Sequence, residues 1–458
     1  MTSMKHTEDA EGNVPASPSS PSDTREYLPD WVLEHAGWAR LLERLALWLE
    51  RPINKFSGTT QLNPFYHTGT IAFFLLLVVG ATGFYLFIFF QYGFDLSYNS
   101  ILRYDSQFIA RFIRALHRYA SGALIITTFL HAYRILFMER FRGPRWLAWV
   151  TGILMTIILW LAGVTGYWLI WDERAQMITY GVRDMLGPWG ADFMAMLAQA
   201  WRTGESWFIL FGILVVHVLL FVVTAVFFWL HIRRLNRAKW IPEFPWIIGM
   251  GVVLILGALL FPLSVLPPAD FTALPSAITF DPIFLFYLPT VGNPTAVFIL
   301  WSVHFLVLLF FFLLPWIPGL QKNNPPKVQV IDEKCTGCTR CAIDCPYKAI
   351  EMVALPEGSA HKYLAIANPD MCVACGICIG SCLDNAITLG DTPPETMWTM
   401  VKERIATAQA RTANPDDVDI EVVFTCERYA NQSARPYLNQ HLGDTNLVAT
   451  HENIEVIA

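Results

Sequence analysis

Residues Arg114 to Arg134 read R-A-L-H-R-Y-A-S-G-A-L-I-I-T-T-F-L-H-A-Y-R, and this stretch decides the fold. It has the pattern of an apolar helix with a histidine near each end, at His117 and His131, fourteen residues apart. Because a helix turns every 3.6 residues, both imidazoles project from nearly the same face, roughly 21 Å apart along the axis. A single pair of this kind is more often a pair of interface residues than a pair of ligands.

The same interval recurs at His217 and His231, in another long apolar run. Two helices that each carry two histidines at one interval can bind two flat cofactors at two depths. Haem with two axial histidines is the cofactor that fits. Two further apolar runs carry glycine pairs at this interval, and glycine allows close approach of a backbone or a ligand. We expect these glycines to admit the macrocycle edges; they are Gly69 and Gly83 in one run, and Gly152 and Gly166 in the other.

The composition is that of a polytopic membrane protein. Of the 458 residues, 54% are hydrophobic and 15% are charged, whereas soluble domains carry about a quarter charged residues. The long apolar runs predict six spanning helices. We place them at residues 66–92, 113–138, 146–171, 206–232, 244–266 and 294–316.

The N-terminal region precedes the first span and divides into two parts. Residues 1–30 are polar and rich in Ser and Pro, which predicts a disordered tail without a signal peptide. Residues 31–52 alternate apolar and charged positions at helical spacing, and we expect Pro52 to end this pattern within the segment 31–55. This predicts an amphipathic helix on the membrane surface, or alternatively a helix packed on a soluble partner.

The charges of the loops predict the orientation of the chain. Lys and Arg are clustered in the second-to-third and fourth-to-fifth connections, whereas the fifth-to-sixth connection, 267–293, has none. The positive-inside rule therefore predicts an inner-membrane protein whose N-terminus and C-terminal domain are cytoplasmic. The clusters are Arg140, Arg142 and Arg145, and Arg233, Arg234, Arg237 and Lys239.

Eight of the nine cysteines lie between Cys335 and Cys382. Such dense clusters indicate metal ligands rather than disulfides. Both runs have the spacing C-x2-C-x2-C-x3-C and resemble the two-cluster bacterial ferredoxins, whereas a zinc site would need only four ligands. The resemblance implies two [4Fe–4S] clusters, in which the fourth cysteine of each run reaches across to the other cluster. One cluster would be held by Cys335, Cys338, Cys341 and Cys382, and the other by Cys372, Cys375, Cys378 and Cys345.

The membrane part resembles the cytochrome b of Rieske-type quinol-oxidising complexes. The resemblance covers about residues 30–318 and is carried by the quoted helix, by G-V-T-G-Y-W-L-I-W-D at Gly163–Asp172, and by P-W-G at Pro188–Gly190. It implies that His117 and His217 bind one haem near the outer face, and that His131 and His231 bind a second near the cytoplasmic face. It also implies haem propionate contacts from Arg114 and Arg134, which could instead be ordinary interfacial cations.

The resemblance implies a quinol-oxidation site near the outer face, between Gly166–Asp172, Pro188 and Asp281. The P-E-W-Y segment of the family, whose glutamate helps to take the quinol proton, is replaced here by P-S-A-I-T-F-D-P-I-F. Asp281 stands in the place of that glutamate and could accept the proton. It could instead cap a helix before Pro282.

The expected fold is therefore an all-α polytopic membrane domain followed by a small α+β ferredoxin-like domain. The membrane domain comprises a di-haem four-helix bundle with two further helices. We interpret His67 and His304 as structural, and Cys426 as a buried or free thiol. The domains are 56–240 for the bundle, 241–318 for the two helices, 325–393 for the ferredoxin domain and 394–458 for a small α/β tail.

The expected function is that of an electron-transfer subunit of an oxidoreductase, with two b-type haems, two [4Fe–4S] clusters and quinone as cofactors. The partners implied are a Rieske iron–sulfur protein, a cytochrome c-type subunit and a soluble ferredoxin or other low-potential carrier, in a homodimeric complex in lipid without nucleic acid. The direction of electron flow through the ferredoxin domain stays open. The alternative is a haem-bearing membrane anchor of a dehydrogenase, without a working outer quinol site. A transporter is disfavoured, because the patterned intramembrane polar groups are the histidine pairs.

Overall fold

The computed structural model describes most of the membrane part and the ferredoxin domain. The predicted tail 1–30, residues 31–36 of the predicted amphipathic helix, and Cys426 with most of the predicted tail 394–458 lie outside the described residues. The described ranges are 37–57, 62–137, 141–233, 239–275, 278–317 and 327–390, with a few helical positions between 395 and 406.

The described membrane region is helical throughout its regular structure. Five of its helices are long and apolar enough to cross a bilayer, and they span Thr68–Phe89, Phe108–Phe137, Gly143–Trp168, Ser206–Ile232 and Pro294–Trp316. The helices are α1 (Gly37–Ser57), α2 (Thr68–Phe89), α3 (Phe94–Ser106), α4 (Phe108–Phe137), α5 (Trp146–Trp168), α6 (Glu173–Leu186), α7 (Gly190–Thr203), α8 (Ser206–Ile232), α9 (Phe244–Leu260) and α10 (Pro294–Leu313).

The fifth predicted span, 244–266, is the shorter helix α9, which has 17 residues. The first turn of α9 lies at the depth of His131. Its Trp246 packs on His67, and Thr68, the residue after His67, contacts the His131 ring. Its last turn lies near His117, because the Tyr119 hydroxyl donates to the Phe261 carbonyl at 2.6 Å. The helix therefore runs between the levels of the two histidines of α4.

The four helices predicted to form the bundle pack in two tight pairs, α2 with α4 and α5 with α8. Small residues allow the helices to approach each other: a Cβ on Gly80 of α2 would lie 2.7 Å from the Phe221 ring of α8. Outside the bundle, α9 packs on α4 and α10 packs on α5. This arrangement places the faces of α4 and α8 that carry histidine opposite each other.

The prediction that Pro52 ends the amphipathic helix is wrong, because α1 continues through Pro52 to Ser57. Proline removes the hydrogen bond to the carbonyl of Trp48, but Trp48 is 65% exposed, so that carbonyl can be hydrated. The opposite face of α1 packs on α4, and Glu50 on that face is only 1% exposed. Packing therefore keeps the helix intact across the proline.

The ferredoxin domain contains two antiparallel strand pairs and two short helices. Strand β1 (Val328–Val330) pairs with β4 (Ile387–Leu389), and β2 (Ile350–Ala354) pairs with β3 (Tyr363–Ala367). Each short helix follows a loop with two cysteines and contains the third of that run; these helices are α11 (Arg340–Asp344) and α12 (Ile377–Ser381). The loops need left-handed backbone at Gly337 and Gly376, where φ is +69° and +74°.

Candidate functional site

The structure brings the four histidines together as two pairs between α4 and α8. The ring centroids of His117 and His217 are 6.4 Å apart, and those of His131 and His231 are also 6.4 Å apart. The planes of the paired rings are inclined at 58° and 60°. Since a metal–imidazole bond is about 2 Å long, this separation leaves room for one metal ion between the two rings of each pair.

Each imidazole is held at Nδ1 by a threonine that precedes one of the four glycines. The hydroxyls of Thr82, Thr151 and Thr165 donate their only proton to a carbonyl of their own helix. Their oxygens must therefore accept from an Nδ1–H group, which leaves the Nε2 of that histidine without a proton and able to bind a metal. The contacts are Thr68–His131 at 3.1 Å, Thr82–His117 at 3.1 Å, Thr151–His231 at 3.1 Å and Thr165–His217 at 3.0 Å.

A backbone carbonyl supports the same tautomer at His117. Its Nδ1 lies 3.1 Å from the carbonyl oxygen of Val79, and a carbonyl can only accept. The histidine and glycine spacings do not reveal the threonines. The dipeptide Thr-Gly at all four glycine positions is the sequence signal that identifies them.

The four glycines contact the imidazoles, whereas the sequence predicts contact with the macrocycle edges. At each of these glycines, the nearest side-chain atom to an added Cβ would be the Cε1 of a paired histidine. These distances are tighter than most Cβ contacts, so even alanine would press on the ring. They are 3.2 Å for Gly69 on His131, 3.0 Å for Gly83 on His117, 3.3 Å for Gly152 on His231 and 3.2 Å for Gly166 on His217.

The two predicted propionate arginines have different surroundings. Arg114 is 8% exposed and makes a bidentate pair with Asp105, with N···O distances of 2.9 and 2.8 Å. Arg134 is 6% exposed and rests on the Tyr66 ring, 3.9 Å from the centroid. Its Nε and Nη2 atoms have no hydrogen-bond partner within the described part of the chain. A buried guanidinium with unsatisfied donors fits an anionic group such as a haem propionate.

A cavity of about 520 Å³ surrounds the His117–His217 pair. Its lining includes the two histidines, the glycines opposite them, Arg114, Arg118 and Tyr167, and is otherwise largely apolar. Its volume and its few converging polar groups are typical of a cofactor or substrate site. The predicted segment Gly166–Asp172 reaches it through Gly166, Tyr167, Leu169 and Ile170, but Pro188 and Asp172 do not line it.

Beside this cavity, Asp281 is the centre of a polar cluster that also contains Arg118 and Tyr167. Arg118 forms a salt bridge with Asp281, and its Nε donates to the Tyr167 hydroxyl at 2.8 Å. The Tyr167 hydroxyl donates to Asp281 Oδ2 at 2.8 Å. The other carboxylate oxygen accepts from Ile283 and Phe284 backbone N–H groups, so Asp281 also caps the following turn. The position of Arg118 in an apolar helix beside His117 is the sequence signal for this cluster.

Asp172 has a structural environment. It is fully buried and caps α6 by accepting from the backbone N–H groups of Arg174 and Ala175 at 3.0 and 3.2 Å. Burial raises the pKa of Asp172, and the ion pair with Arg174 counteracts this effect. The adjoining backbone pairs with Pro268. Asp172 therefore anchors α6 to the loop that follows α9.

His304, which we interpret from the sequence as structural, packs in an aromatic cluster. Its Nδ1 lies 2.8 Å from the Leu300 carbonyl, and its ring stacks on Phe286 with centroids 4.9 Å apart. His67 lies at the N-terminal boundary of α2 and packs on Trp246 at 5.4 Å. Neither contact places these rings beside a second imidazole.

The eight cysteines of the ferredoxin domain form two groups and no disulfide. The first cysteine group, Cys335, Cys338, Cys341 and Cys382, surrounds a small cavity. In the second cysteine group, Cys378 interacts most strongly with Cys375, Cys372 and Cys345, and less with Cys341 of the first group. Each group thus takes three cysteines from one run and the fourth from the other. Backbone N–H groups point at the sulfurs of Cys345, Cys372 and Cys382, at 3.2, 3.3 and 3.2 Å.

Known proteins share this arrangement of helices and motifs. The cytochrome b/b6/petB family model matches residues 53–239, and the chain is 33% identical over 182 residues to cytochrome b6 of Auxenochlorella protothecoides, of which it covers 84%. The chain belongs to the cytochrome b/b6 family. This cytochrome b portion is also 36% identical over 151 residues to cytochrome b6 of Prochlorococcus marinus (strain MIT 9515), covering 67% of that protein and 32% of this chain.

A second family model matches the part of the chain that follows the cytochrome b portion. A 4Fe-4S dicluster domain model matches residues 334–386, which contain both cysteine groups. A solved structure titled "Hyperthermophilic respiratory Complex III" aligns with 55% of this chain and 75% of its own, at 18% identity and a TM-score of 0.41. The chain is thus a membrane cytochrome b joined to a dicluster domain.

Membership of the cytochrome b/b6 family implies haem, and the residues present fit that group. Paired imidazoles 6.4 Å apart could supply two nitrogen ligands at each of two levels. The unsatisfied donors of Arg134 suit a propionate. The dicluster match implies [4Fe–4S] clusters, for which the two groups of four thiols are the expected ligands.

Proposed function

We propose that this cytochrome b is the electron-transfer subunit of a quinol-oxidising, Rieske/cytochrome b-type complex. The His117–His217 and His131–His231 pairs would hold two b-type haems, and each cysteine group would hold one [4Fe–4S] cluster. Quinol would bind beside the outer haem, on its Tyr167 side, and the ferredoxin domain would exchange electrons at the inner end. A Rieske protein, a cytochrome c-type subunit and a soluble low-potential carrier are the expected partners, in a homodimeric complex.

The observation that carries this proposal is the repetition of one histidine pair at two levels of the same two helices. The spacing of fourteen residues separates the levels by roughly 21 Å, most of the thickness of a hydrocarbon core. Haem bound at both levels would supply one-electron transfer across the membrane. The protein fixes the ring orientations through the threonine contacts at Nδ1, and it excludes water from both levels with apolar helices.

Proton handling at the outer site would use Tyr167 and Asp281. Tyr167 lines the cavity, whereas Asp281 lies behind it and accepts the hydrogen bond of the Tyr167 hydroxyl. A quinol hydroxyl proton can pass to the Tyr167 oxygen while the phenolic proton of Tyr167 passes to Asp281 Oδ2. The salt bridge with Arg118 holds the Asp281 carboxylate in place beside the Tyr167 hydroxyl. Asp281 would thus accept the quinol proton through Tyr167, in place of the glutamate of the P-E-W-Y segment.

A second candidate function is a haem-bearing anchor of a ferredoxin:quinone oxidoreductase or dehydrogenase. The replacement of P-E-W-Y by the segment around Asp281 favours it, because two aromatic residues of the usual quinol site are absent. Such an anchor would keep both haems and both clusters but would not oxidise quinol at the outer cavity.

A redox-titrated optical and EPR spectrum of the purified full-length protein tests the proposal. We expect two b-type haems with separate potentials and two [4Fe–4S] clusters per chain. Fewer than two haems would contradict the central claim. The complete complex should also reduce a cytochrome c with quinol and lose this activity with inhibitors of an outer quinol site. Intact haems without that activity would favour the anchor.

A further inference from the structure

The ferredoxin domain contacts the membrane domain through a cation–aromatic pair. The Arg145 guanidinium carbon lies 4.9 Å from the centre of the Tyr347 ring. Arg145 ends the connection between α4 and α5, and Tyr347 follows Cys345 by two residues. We propose that this pair is the docking surface that holds the second cysteine group against the inner histidine pair. Its consequence for electron transfer rests on the proposed function, but the docking itself does not.

The membrane side of this contact is a rigid platform rather than an ordinary exposed loop. Phe141 is completely buried and packs on Trp149 with ring centroids 5.3 Å apart. Arg142 reaches the carbonyl of Ile317 at 3.5 Å, and Trp146 contacts Trp316 at 5.4 Å. Loops usually lie on the surface and are mobile. Here the 141–146 connection is fixed between the start of α5 and the end of the α10 span.

This platform lies close to the inner histidine pair. Arg145 immediately precedes α5, and the Thr151 hydroxyl one and a half turns later contacts His231 at 3.1 Å. Six residues of helix correspond to roughly 9 Å along the axis. A domain docked at Arg145 is therefore at the inner end of the bundle, on the side of His131 and His231.

The ferredoxin side of the contact selects one cysteine group. Tyr347 is 8% exposed and packs in the domain core with Cys345, a member of the second cysteine group. The first cysteine group contains Cys338, which is exposed. The contact therefore turns the second group toward the membrane domain and leaves the first group accessible to a soluble carrier. This geometry predicts that electrons pass between the ferredoxin domain and a soluble carrier through the first cysteine group.

Amide hydrogen exchange of the full-length protein in lipid nanodiscs tests the docking. In Arg145→Gln, we expect exchange to rise in both segments 141–146 and 345–350, by roughly two- to thirtyfold for the loss of one cation–aromatic contact. Arg145→Lys should restore part of the protection. Lys362→Gln is the matched control, because Lys362 lies over the Tyr363 ring at 5.3 Å within the ferredoxin domain. It should leave both segments unchanged.

Optical and EPR spectra of each variant count the haems and clusters, so that loss of folding is not mistaken for loss of docking. Tyr347→Leu provides a second disruption and Tyr347→Phe retains the ring. Unchanged exchange in Arg145→Gln and in a correctly loaded Tyr347→Leu would overturn the proposal. The EPR relaxation of the two clusters adds a distance readout. The variants Cys375→Ser and Cys338→Ser each remove one cluster signal and so assign the two signals. Haem should enhance the relaxation of the cluster that Cys375 binds more strongly than that of the cluster that Cys338 binds. The reverse order would also overturn the proposal.

Photoreduction of the clusters separates this proposal from the proposed function. If the wild type shows protected segments but its b-haem absorbance never follows cluster reduction, the proposed electron exchange is wrong and the docking stands. If haem reduction follows in the wild type, it should slow in Arg145→Gln and remain unchanged in Lys362→Gln. An equal rate in Arg145→Gln together with unchanged exchange would contradict the docking while supporting the electron exchange.

Discussion

At the scale of single residues, four repetitions of one contact set define the haem levels. Each histidine has a threonine oxygen at Nδ1 and a glycine against Cε1. At Thr82, Thr151 and Thr165 the threonine fixes the tautomer, because its proton is already donated within its own helix. The glycine fixes how closely the neighbouring helix approaches the ring. Together they orient Nε2 toward the centre of the bundle without using a charged side chain.

Thr165→Val tests the role of the threonine oxygen. Valine keeps the shape but removes the acceptor of the His217 Nδ1 proton, which lies 3.0 Å away. Loss of such a supporting hydrogen bond typically weakens metal binding 10- to 100-fold, and we expect about tenfold because a backbone carbonyl also lies beside Nδ1. Haem content after dialysis against apomyoglobin measures this change.

Thr127→Val is the control for that substitution. Thr127 lies in α4 and donates to the Ala123 carbonyl at 2.7 Å, as Thr165 does to a carbonyl of α5. It should retain both haems. Equal haem retention by both variants would show that the threonine oxygen does not support the ligand.

Gly83→Ala tests the close approach of α2 to His117. The new Cβ would lie 3.0 Å from Cε1, so the imidazole or the helix must move. We expect a loss of about 1–3 kcal/mol from overpacking, although alanine is otherwise a better helix former than glycine. The EPR signal of the outer haem and its release on heating report the change.

The same substitution at Gly212 provides a matched comparison. Gly212 lies in α8 with nothing within 4 Å of its added Cβ. Gly212→Ala should leave the spectrum unchanged and be neutral or slightly stabilising. A Gly83→Ala protein with an unaltered outer haem would show that the glycine is not needed for ring packing.

Asp281→Asn tests proton transfer at the outer site. The amide keeps the capping oxygen but cannot take a proton, and it leaves the Arg118 guanidinium without its counter-ion. General-base catalysis typically contributes 10²- to 10⁴-fold, so quinol oxidation should fall by about that factor while both haems are retained. The measurement is the steady-state quinol:cytochrome c rate of the complete complex.

Asp270→Asn is its control, because Asp270 is an acid of the same loop region that accepts from the Thr272 backbone N–H at 2.8 Å. Its variant should keep the full rate. If Asp281→Asn also keeps the full rate, its carboxylate acts only as a cap and salt-bridge partner.

At the scale of elements, periodic patterns predict most of the helices. Contacts between residues that are distant in the chain cannot be predicted in this way. The interval between His117 and His131 identifies a helix face from sequence alone, because helix geometry fixes it. Arg118 and Tyr167 meet Asp281 across 163 and 114 residues of chain, and no local spacing encodes such a meeting. Pro52 was mispredicted for the same reason, since the packing of Glu50 on α4 outweighs the local effect of proline.

The ferredoxin domain shows the same contrast. The resemblance of the cysteine runs to two-cluster bacterial ferredoxins implies the crossed grouping. Nothing in the spacing of these runs predicts which group faces the membrane. The Arg145–Tyr347 contact supplies this information, and it joins residues 202 positions apart in the chain.

At the scale of the whole molecule, the short helix α9 determines how many times the chain crosses the membrane. Residues Arg142 and Ile317 are in contact, so the connection before α5 and the end of the α10 span lie on one side. The chain between them must therefore cross an even number of times. The helices α5, α8 and α10 supply three crossings, and α9 runs between the levels of His131 and His117. We infer that α9 is a sixth crossing despite its 17 residues.

Sided labelling of the full-length protein checks this count. Six crossings would place both ends of the chain on one side of the membrane, and the positive-inside rule predicts that this side is the cytoplasm. We expect protease added to inverted vesicles to remove tags at both the N-terminus and the C-terminus, and protease added to right-side-out vesicles to remove neither. Five crossings would expose one tag in each preparation.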